Sequence, residues 1–314
     1  MLSSIDISVV IVSFNTRKIL QDCLDSIYKH TKDLNFEVVV VENGSTDGSL
    51  EMLQKYKQKK SNLIVINAGE NLGFGKGNNL GVDSSSGKYL VFLNTDTLLI
   101  TNSLKEVLVR VSALKNCGIY SCELINKDGS SQLSGGHFPT LSNLFVWQFF
   151  IDDLPYADRL FKSIHPHQSG FFFWKKLLGK NDFSDNVGLI DYNVDWVTGA
   201  FMVIPRKVFI AAGQFDTNIF MYTEEMELAY RVTKLGFKTY YEPLTKIIHL
   251  GGASSGSHLA ITSEIKYMLY FWKKHMPVWQ SFFVKIIFFV GSLLRLLIFG
   301  IINKNEKLRD TYFA

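Results

Sequence analysis

Four short apolar runs, each followed by a stretch of helical spacing, constrain this chain more than any other feature. ISVVIVS (7–13), EVVVVEN (37–43), LIVIN (63–67) and YLVFLNTD (89–96) are nearly continuous β-branched, aliphatic or aromatic stretches. A strand reads that way when both of its faces are covered. Residues 17–30 carry Ile19, Leu20, Leu24 and Ile27 on one side, and helices are expected again near 49–58, 76–84 and 102–115. Strand, helix, strand, helix predicts an α/β fold with a parallel sheet and right-handed crossovers. In such sheets ligands bind beyond the carboxyl ends of the strands. The alternation therefore gathers Ser13, Asn15, Glu42, Asn43 and Asn94 to Asp96 on one rim.

The rhythm breaks in the middle. Residues 137–190 hold LSNLFVWQFF and SGFFFWKKLL with His165-Pro166-His167 between them, and few charges interrupt the aromatics. DWVTGAFMVIP (195–205) restores a strand, followed by helices near 206–212 and 224–236 and by the short extended pieces KTYYEP and KIIHLGG. The tail differs again: residues 282–302 contain 16 Phe, Ile, Leu or Val among 21, interrupted by Lys285 and Arg295. As a helix this stretch would extend about 32 Å, one hydrocarbon core. Its apolar residues contribute roughly −7 kcal/mol to insertion and the two cations return about +5. That balance favours helices lying in the membrane interface, with Lys273, Lys274, Lys285 and Arg295 meeting anionic headgroups. A buried hairpin or an oligomer contact is the competing reading.

A net charge of +4 with scattered basic residues excludes a dedicated nucleic-acid stripe. Cys23, Cys117 and Cys122 are too few and too dispersed for a disulfide framework or a zinc site, and they read as reduced, buried and cytosolic. MLSSIDISVVIVSFN lacks a basic n-region and a cleavage site, so no signal peptide is expected.

Chemistry concentrates in a few segments. FMYTEEMELAYR (220–231) places Glu224, Glu225 and Glu227 within four positions at a helix start. Acids are favoured there by free N–H groups and the macrodipole. Yet Glu224 and Glu227 share one face and Glu225 points elsewhere, and a carboxylate aimed into a cleft is what a general base requires. Asn94-Thr95-Asp96 ends an apolar strand, where a carboxylate can hold a divalent cation or simply cap the next helix. The turn from Asn71 to Asn79 contains Gly73, Gly75 and Gly77 with Lys76. It suits either a phosphate contact or a structural turn, and Asn78 stands where a dinucleotide fingerprint needs glycine. Glu42 can accept the N3–H of a pyrimidine ring. His249, before Gly251 and Gly252, can ligate a metal, touch a phosphate or pack. His165 and His167 are weaker candidates of the same kind.

Taken in order, VIVSFN, VVVENGSTDGS, NLGFGKGNN, LVFLNTD, DWVTGAFMVIPR, FDTNIFMYTEEMEL and HLGG-x-S resemble the family 2 glycosyltransferases over about residues 5–275. The likeness is strongest to the bacterial rhamnosyltransferase-like branch that builds polysaccharides on lipid carriers. The resemblance implies a GT-A fold, a Rossmann-like, mostly parallel sheet flanked by helices, over 1–265. The nucleotide-binding half would span 1–125, and the acceptor half 126–265 with its aromatic insertion at about 137–190. A membrane-associating helical region, 266–314, would follow.

It also implies an inverting, metal-dependent transfer from a dTDP- or UDP-linked sugar, with dTDP-rhamnose favoured, to a lipid-linked or polysaccharide acceptor. The location implied is the cytoplasmic face of a bacterial inner membrane. Carried over position by position, Ser13, Asn15 and Glu42 would line the nucleoside pocket, Asn71 and Lys76 would lie near the ribose or diphosphate, and Asn94 and Asp96 would also be on the donor side. Asp96 and His249 would bind Mg²⁺ or Mn²⁺. Glu225 would be the base with Glu224 before it, and Trp196, Thr198, Gly199 and Glu224 would form the sugar and acceptor floor. Two departures stand out: Glu225 occupies a position usually held by Asp, and Asn94 one often held by Asp. A UDP-hexose transferase, a nicotinamide-dependent dehydrogenase, a membrane-attached binding protein without catalysis and a homo-oligomer are the alternatives left open.

Overall fold

The computed structural model describes residues 5–132, 134–152, 161–164, 194–251 and 257–298, with side chains from 261 onward in the last stretch. His165 and His167, most of the aromatic segment 137–190, Gly252 to Ser254 and the tail past 298 lie outside these residues. The described elements are β1 (Ile7–Ser13), α1 (Arg17–His30), β2 (Phe36–Glu42), α2 (Ser49–Lys57), β3 (Leu63–Asn67), α3 (Phe74–Asp83), β4 (Tyr89–Leu93), β5 (Thr97–Leu99), α4 (Ser103–Ala113), β6 (Cys117–Ile125) and β7 (Ser131–Gln132). After them come α5 (Leu141–Gln148), β8 (Phe201–Pro205), α6 (Arg206–Ala211), α7 (Glu224–Lys234), β9 (Lys238–His249), α8 (Ser257–His275) and α9 (Gln280–Arg295). They fall into two compact units, Met1–Ser134 with Tyr192–Ser254 and Gly135–Asp191 with Ser255–Ala314.

In the first unit β1 to β9 form one sheet in the order β3-β2-β1-β4-β8-β6-β9-β5, with β7 paired to β6. The β3-β2-β1-β4 half is parallel throughout, as the strand–helix alternation implies. Its register sets Ser13 beside Glu42 and Glu42 beside Asn67, so these polar ends share one rim. The other half is mixed: β8 runs antiparallel to β4 and β6, while β9 is parallel to β6 and antiparallel to β5. Helix α1 buries Leu20, Cys23, Leu24 and Ile27 in the same core as Ile7, Val9, Ile11, Val38 and Val40, all fully buried. Each such aliphatic side chain stabilises the fold by about 1.5–3 kcal/mol relative to exposure. The three cysteines are free and buried, as expected.

Three differences from the sequence reading have local causes. Strand β6 was not anticipated, because Gly118, Ser121 and Glu123 interrupt its apolar pattern. In the fold Ser121 Oγ donates to the Phe201 carbonyl at 2.7 Å, and Glu123 accepts from Ser131 and pairs with Lys246 at 3.3 Å. KTYYEP and KIIHLGG are one strand, β9, with a register irregularity between Glu242 and Lys246 where the pattern lapses. The stretch 195–205 is not one strand: Trp196–Val197 and β8 are separated at Thr198 to Ala200.

In the second unit α5 opens on a capping box. Thr140 Oγ1 accepts the Asn143 N–H at 3.2 Å, and Asn143 Oδ1 accepts the Thr140 N–H at 2.6 Å. Helix α9 presses one stripe, Val284, Phe288, Gly291 and Arg295, inward. At Gly291 an added Cβ would lie 2.5 Å from Gln148 Oε1, so α9 and α5 approach closely. Arg295 overturns an expectation. It is 7% exposed, and its guanidinium donates to the Gln148 carbonyl at 2.5 Å, to Gln148 Oε1 at 2.9 Å and to the Trp147 carbonyl at 3.2 Å. The carbonyl end of a helix attracts a cation, so Arg295 caps α5 and does not face headgroups. The outward stripe of α9 is then Phe282, Phe283, Ile286, Phe289, Val290 and Leu293, all exposed, with Lys285 among them. Gln280–Ile298 is long and apolar enough to cross a membrane by length and composition.

Candidate functional site

The rim begins with the loops after β1 and β2, which are stitched to each other. Asn15 takes a left-handed conformation, φ 52°, from which its backbone N–H reaches Ser45 Oγ at 2.9 Å and its Oδ1 accepts the Thr46 N–H at 2.8 Å. Ser13 Oγ is 3.0 Å from Thr16 Oγ1. Glu42 is buried, and its carboxylate accepts the N–H groups of Ser45 at 2.7 Å and Gly44 at 3.2 Å. It first closes the turn. A carboxylate has about four acceptor sites, so capacity for a further donor remains. Asn43, a residue without an assigned role in the sequence reading beyond its place on the rim, is buried. It donates through Nδ2 to the Gly73 carbonyl at 3.3 Å and leaves its Oδ1 buried without a hydrogen-bond partner.

The glycine-rich turn, open in the sequence between phosphate contact and structural turn, is built against residues 215–220. Gly73 sits at φ 78°, and a Cβ there would lie 2.2 Å from the Phe220 carbonyl oxygen. Chain packing therefore accounts for this glycine. Asn71 and Lys76 are exposed, and Asn71 Oδ1 accepts the Gly73 N–H at 3.0 Å.

Asp96 follows β4 by three residues and is 1% exposed. Its backbone carbonyl accepts the Leu250 N–H at 2.8 Å, and pairing of β5 with β9 sets Thr97 opposite His249. The His249 Nε2 lies 3.4 Å from Asp96 Oδ1, an oxygen that is buried without a hydrogen-bond partner. Gln132, absent from the sequence reading, fixes the imidazole from behind. Its Oε1 is 2.8 Å from His249 Nδ1 and its Nε2 donates to the His249 carbonyl at 2.7 Å. Second partners of this kind orient metal-ligating histidines. No cluster of three or more His, Cys, Asp or Glu suited to a metal occurs among the described residues. An orphaned carboxylate oxygen beside an oriented imidazole still fits a divalent cation, which Asp96 and His249 would hold.

The three acids of α7 diverge, as their spacing requires. Glu227 is fully buried and held by Arg231, with N–O distances of 2.6–3.0 Å. Arg231 also donates to the carbonyls of Ala212 and Gln214. Glu227 is thus structural. Glu224 is 2% exposed with its Oε2 buried and unbonded. Glu225 is partly exposed and its Oε1 accepts the Gly199 N–H at 2.9 Å. Burial pushes both carboxyls above their ordinary value of 4.5, and the Glu225 charge raises Glu224 further. Two successive non-glycine residues in the left-handed region, Tyr222 at φ 68° and Thr223 at φ 77°, lead into this pair. Strain of that kind costs about 1–3 kcal/mol per residue and persists where the surroundings over-determine it.

The break in the strand 195–205 joins the two acidic positions. Gly199 holds Glu225, and the next carbonyl, Ala200, accepts the Asn94 N–H at 3.1 Å, two residues before Asp96. Glu225 and Asp96 thus both emerge where the β4–β8 ladder ends. Trp196 is buried, and the Thr198 N–H donates to the Ser134 carbonyl at 2.8 Å. A half-open cavity of about 690 Å³ lies between α1 and α2 and shares no lining residue with this site.

A family model described as "Glycosyl transferase family 2" matches residues 8–182. The O-antigen biosynthesis protein RfbC of Myxococcus xanthus is 25% identical over 249 residues, 78% of this chain and 17% of that protein. The N-acetylglucosaminyl-diphospho-decaprenol L-rhamnosyltransferase of Mycobacterium tuberculosis is 24% identical over 260 residues, 78% of this chain and 77% of that one. This chain therefore spans under a fifth of the first relative and most of the second. Among solved structures, GalNAc-T7 with UDP, GalNAc and Mn²⁺ covers 100% of this chain and 55% of its own, with a TM-score of 0.63 at 18% identity, which supports the fold alone.

Proposed function

We propose, from the premise that this chain belongs to glycosyl transferase family 2, that it transfers a sugar with inversion from a nucleoside-diphosphate donor to a glycan hydroxyl. The donor favoured is dTDP-rhamnose, then a UDP-hexose, and the acceptor is a lipid-linked or polysaccharide chain in cell-envelope synthesis. Support for the class comes from relatives described as an O-antigen biosynthesis protein and a rhamnosyltransferase. The observation that carries the reading is the arrangement of Glu225 and Asp96, joined through Gly199, Ala200 and Asn94 at one end of the sheet.

Each residue then has a task. Glu225, with one oxygen held by the Gly199 N–H, takes the proton of the acceptor hydroxyl. That hydroxyl attacks the anomeric carbon opposite the leaving diphosphate, and no covalent enzyme intermediate forms. The raised affinity of Glu225 for a proton, caused by burial, suits a general base. Asp96 and His249 would hold Mg²⁺ or Mn²⁺, which when bound supplies charge neutralisation for the diphosphate. Asn15, Ser13, Glu42 and Asn43 shape the pocket for the nucleoside, and Trp196 with Thr198 forms the sugar floor. The exposed apolar stripe of α9, with Lys273, Lys274 and Lys285, supports placement at the cytoplasmic membrane surface, where a lipid-linked acceptor would be met.

The test is Glu225→Gln, assayed with a panel of dTDP- and UDP-sugars and Mn²⁺. Donor binding, read as a thermal shift, should persist while transfer drops at least a hundredfold. A variant that transfers at the wild-type rate places the base elsewhere.

A further inference from the structure

We propose that the glycine-rich segment Gly73 to Asn79 is a clamp that sets where the Glu225 carboxylate points, with Asn79 and Phe74 as its positioning residues. The inference rests on the reading of Glu225 as the base, and it assigns the segment to the acceptor-side proton transfer instead of to the phosphates.

The clamp grips the segment leading to α7 at two points. At its start, Asn79 is 8% exposed and spends its whole amide on one residue 136 positions away. Its Nδ2 donates to the Phe215 carbonyl at 2.9 Å, and its Oδ1 accepts the Phe215 N–H at 3.1 Å. A side-chain amide that exchanges both bonds with the N–H and C=O of one residue imitates a strand pair and fixes that residue's orientation as well as its position. At the second point the Phe74 N–H donates to the Phe220 carbonyl at 2.9 Å. Gly73 makes room for that carbonyl, since a Cβ would meet it at 2.2 Å. At the first grip the Phe215 ring is also locked among Phe74, Phe92 and Phe209, with centroids 5.8, 4.9 and 5.4 Å away.

The same segment touches the carboxylate's seat. The ring of Phe74 lies against Gly199, where an added Cβ would be 2.6 Å from Cζ, and Gly199 is the residue whose N–H holds Glu225 Oε1. Phe74 thus contacts the seat of the carboxylate through its ring and the approach to α7 through its backbone. Two left-handed residues, Tyr222 and Thr223, separate the second grip from the acid pair. A strained entry of this type springs back if its far end is released. Misplacement of a reacting group by about 1 Å can cost on the order of a hundredfold in rate.

The decisive experiment uses the full chain with Asn79→Asp, which keeps shape and the acceptor but turns the donor into a second acceptor facing the Phe215 carbonyl. With whichever of dTDP-rhamnose or UDP-glucose the wild type turns over, kcat should fall about tenfold or more. The donor KM and the Mn²⁺-dependent affinity for UDP or dTDP should stay within about twofold. The acid limb of the kcat–pH profile should move to higher pH, because a carboxylate pulled from the Gly199 N–H loses a bond that favours its charged form. If Asn79→Asp does not fold, Phe74→Leu, judged by the same three readouts, carries the test. Wild-type kcat with an unmoved acid limb overturns the clamp. An equal loss of nucleotide affinity and rate also overturns it, in favour of a phosphate-binding turn. A wild-type chain that turns over no nucleotide sugar sinks the transferase reading, and the clamp with it.

Discussion

Replacing Gly199 with alanine is the sharpest probe of the site, since the structure states what one methyl group would strike. The new Cβ would lie 2.6 Å from Phe74 Cζ and 2.9 Å from Glu225 Oε1, where ordinary contact begins at 3.4 Å. The Phe74 ring is backed by Phe215 and cannot retreat freely. The Glu225 carboxylate, the other group struck, must withdraw by about half an ångström and bend its 2.9 Å bond to the residue 199 N–H. If a full ångström costs about a hundredfold, half of that costs about tenfold, or about 1.4 kcal/mol in the barrier. Overpacking adds about 1–3 kcal/mol of lost stability, which lowers Tm by a few degrees for a unit of this size. Nucleotide release at saturating donor gives the rate, and thermal unfolding with and without UDP or dTDP gives the fold. Shortening the neighbour should compensate: Gly199→Ala with Glu225→Asp should lose less than the two single losses combined. A Gly199→Ala enzyme within twofold of wild-type kcat would show that the position of this carboxylate does not govern the reaction.

Glu224 binds a proton more tightly folded than unfolded, so its contribution favours folding below pH 4.5 and is lost as pH rises toward its elevated folded value. Glu224→Gln should therefore stabilise the chain at pH 7, with the gain vanishing below about pH 4 in denaturant titrations; an unchanged or lowered pH 7 stability contradicts the buried, unbonded oxygen. Asp96→Asn should remove the Mn²⁺-dependent part of the UDP or dTDP thermal shift while leaving the metal-free shift intact, and a retained metal effect would move the cation site away from Asp96. Arg295→Gln should cost about 1.5–3 kcal/mol of stability through lost charged hydrogen bonds to the end of α5, yet leave the salt dependence of binding to anionic vesicles unchanged. Neutralising Lys273, Lys274 and Lys285 to Gln should weaken that binding by about 1 kcal/mol per residue at low salt, and co-sedimentation at matched lipid checks both. Removal of the chain from residue 276 should abolish partitioning, and a truncated chain that stays with membranes refutes the role given to α9.

Much of the first unit was legible because burial on both faces writes itself as uninterrupted Val and Ile. The runs in β1, β2 and β4 could hardly have been anything else, and the parallel register they imply sets Ser13 beside Glu42. What escaped was held by pairs distant in sequence. Strand β6 hides Ser121 and Glu123 in full burial because partners in β8, β7 and β9 satisfy them, and no periodicity reports such partners. Gln132 and Asn79 were invisible for the same reason: an amide looks alike whether it faces solvent or holds a peptide 136 positions away. The doublet Asn78-Asn79, straight after the glycines, was the one available hint. Arg295 was misjudged because a cation in an apolar helix reads as a headgroup contact until the carbonyl end it caps is known.

The strand order carries a last implication. Strands β4 and β5 stand four places apart in the sheet, roughly 19 Å if it were flat. Only residues 94–96 connect them, a tether that can stretch to about 14 Å at most. The sheet must roll its border back toward its centre, and β5 accordingly rests on α1, where the Leu99 N–H meets Ser26 Oγ at 3.1 Å. Asp96 rides on that short strap. Its location is dictated by how tightly the sheet is rolled, so a change far from the rim that loosened the roll would be felt first at this carboxylate.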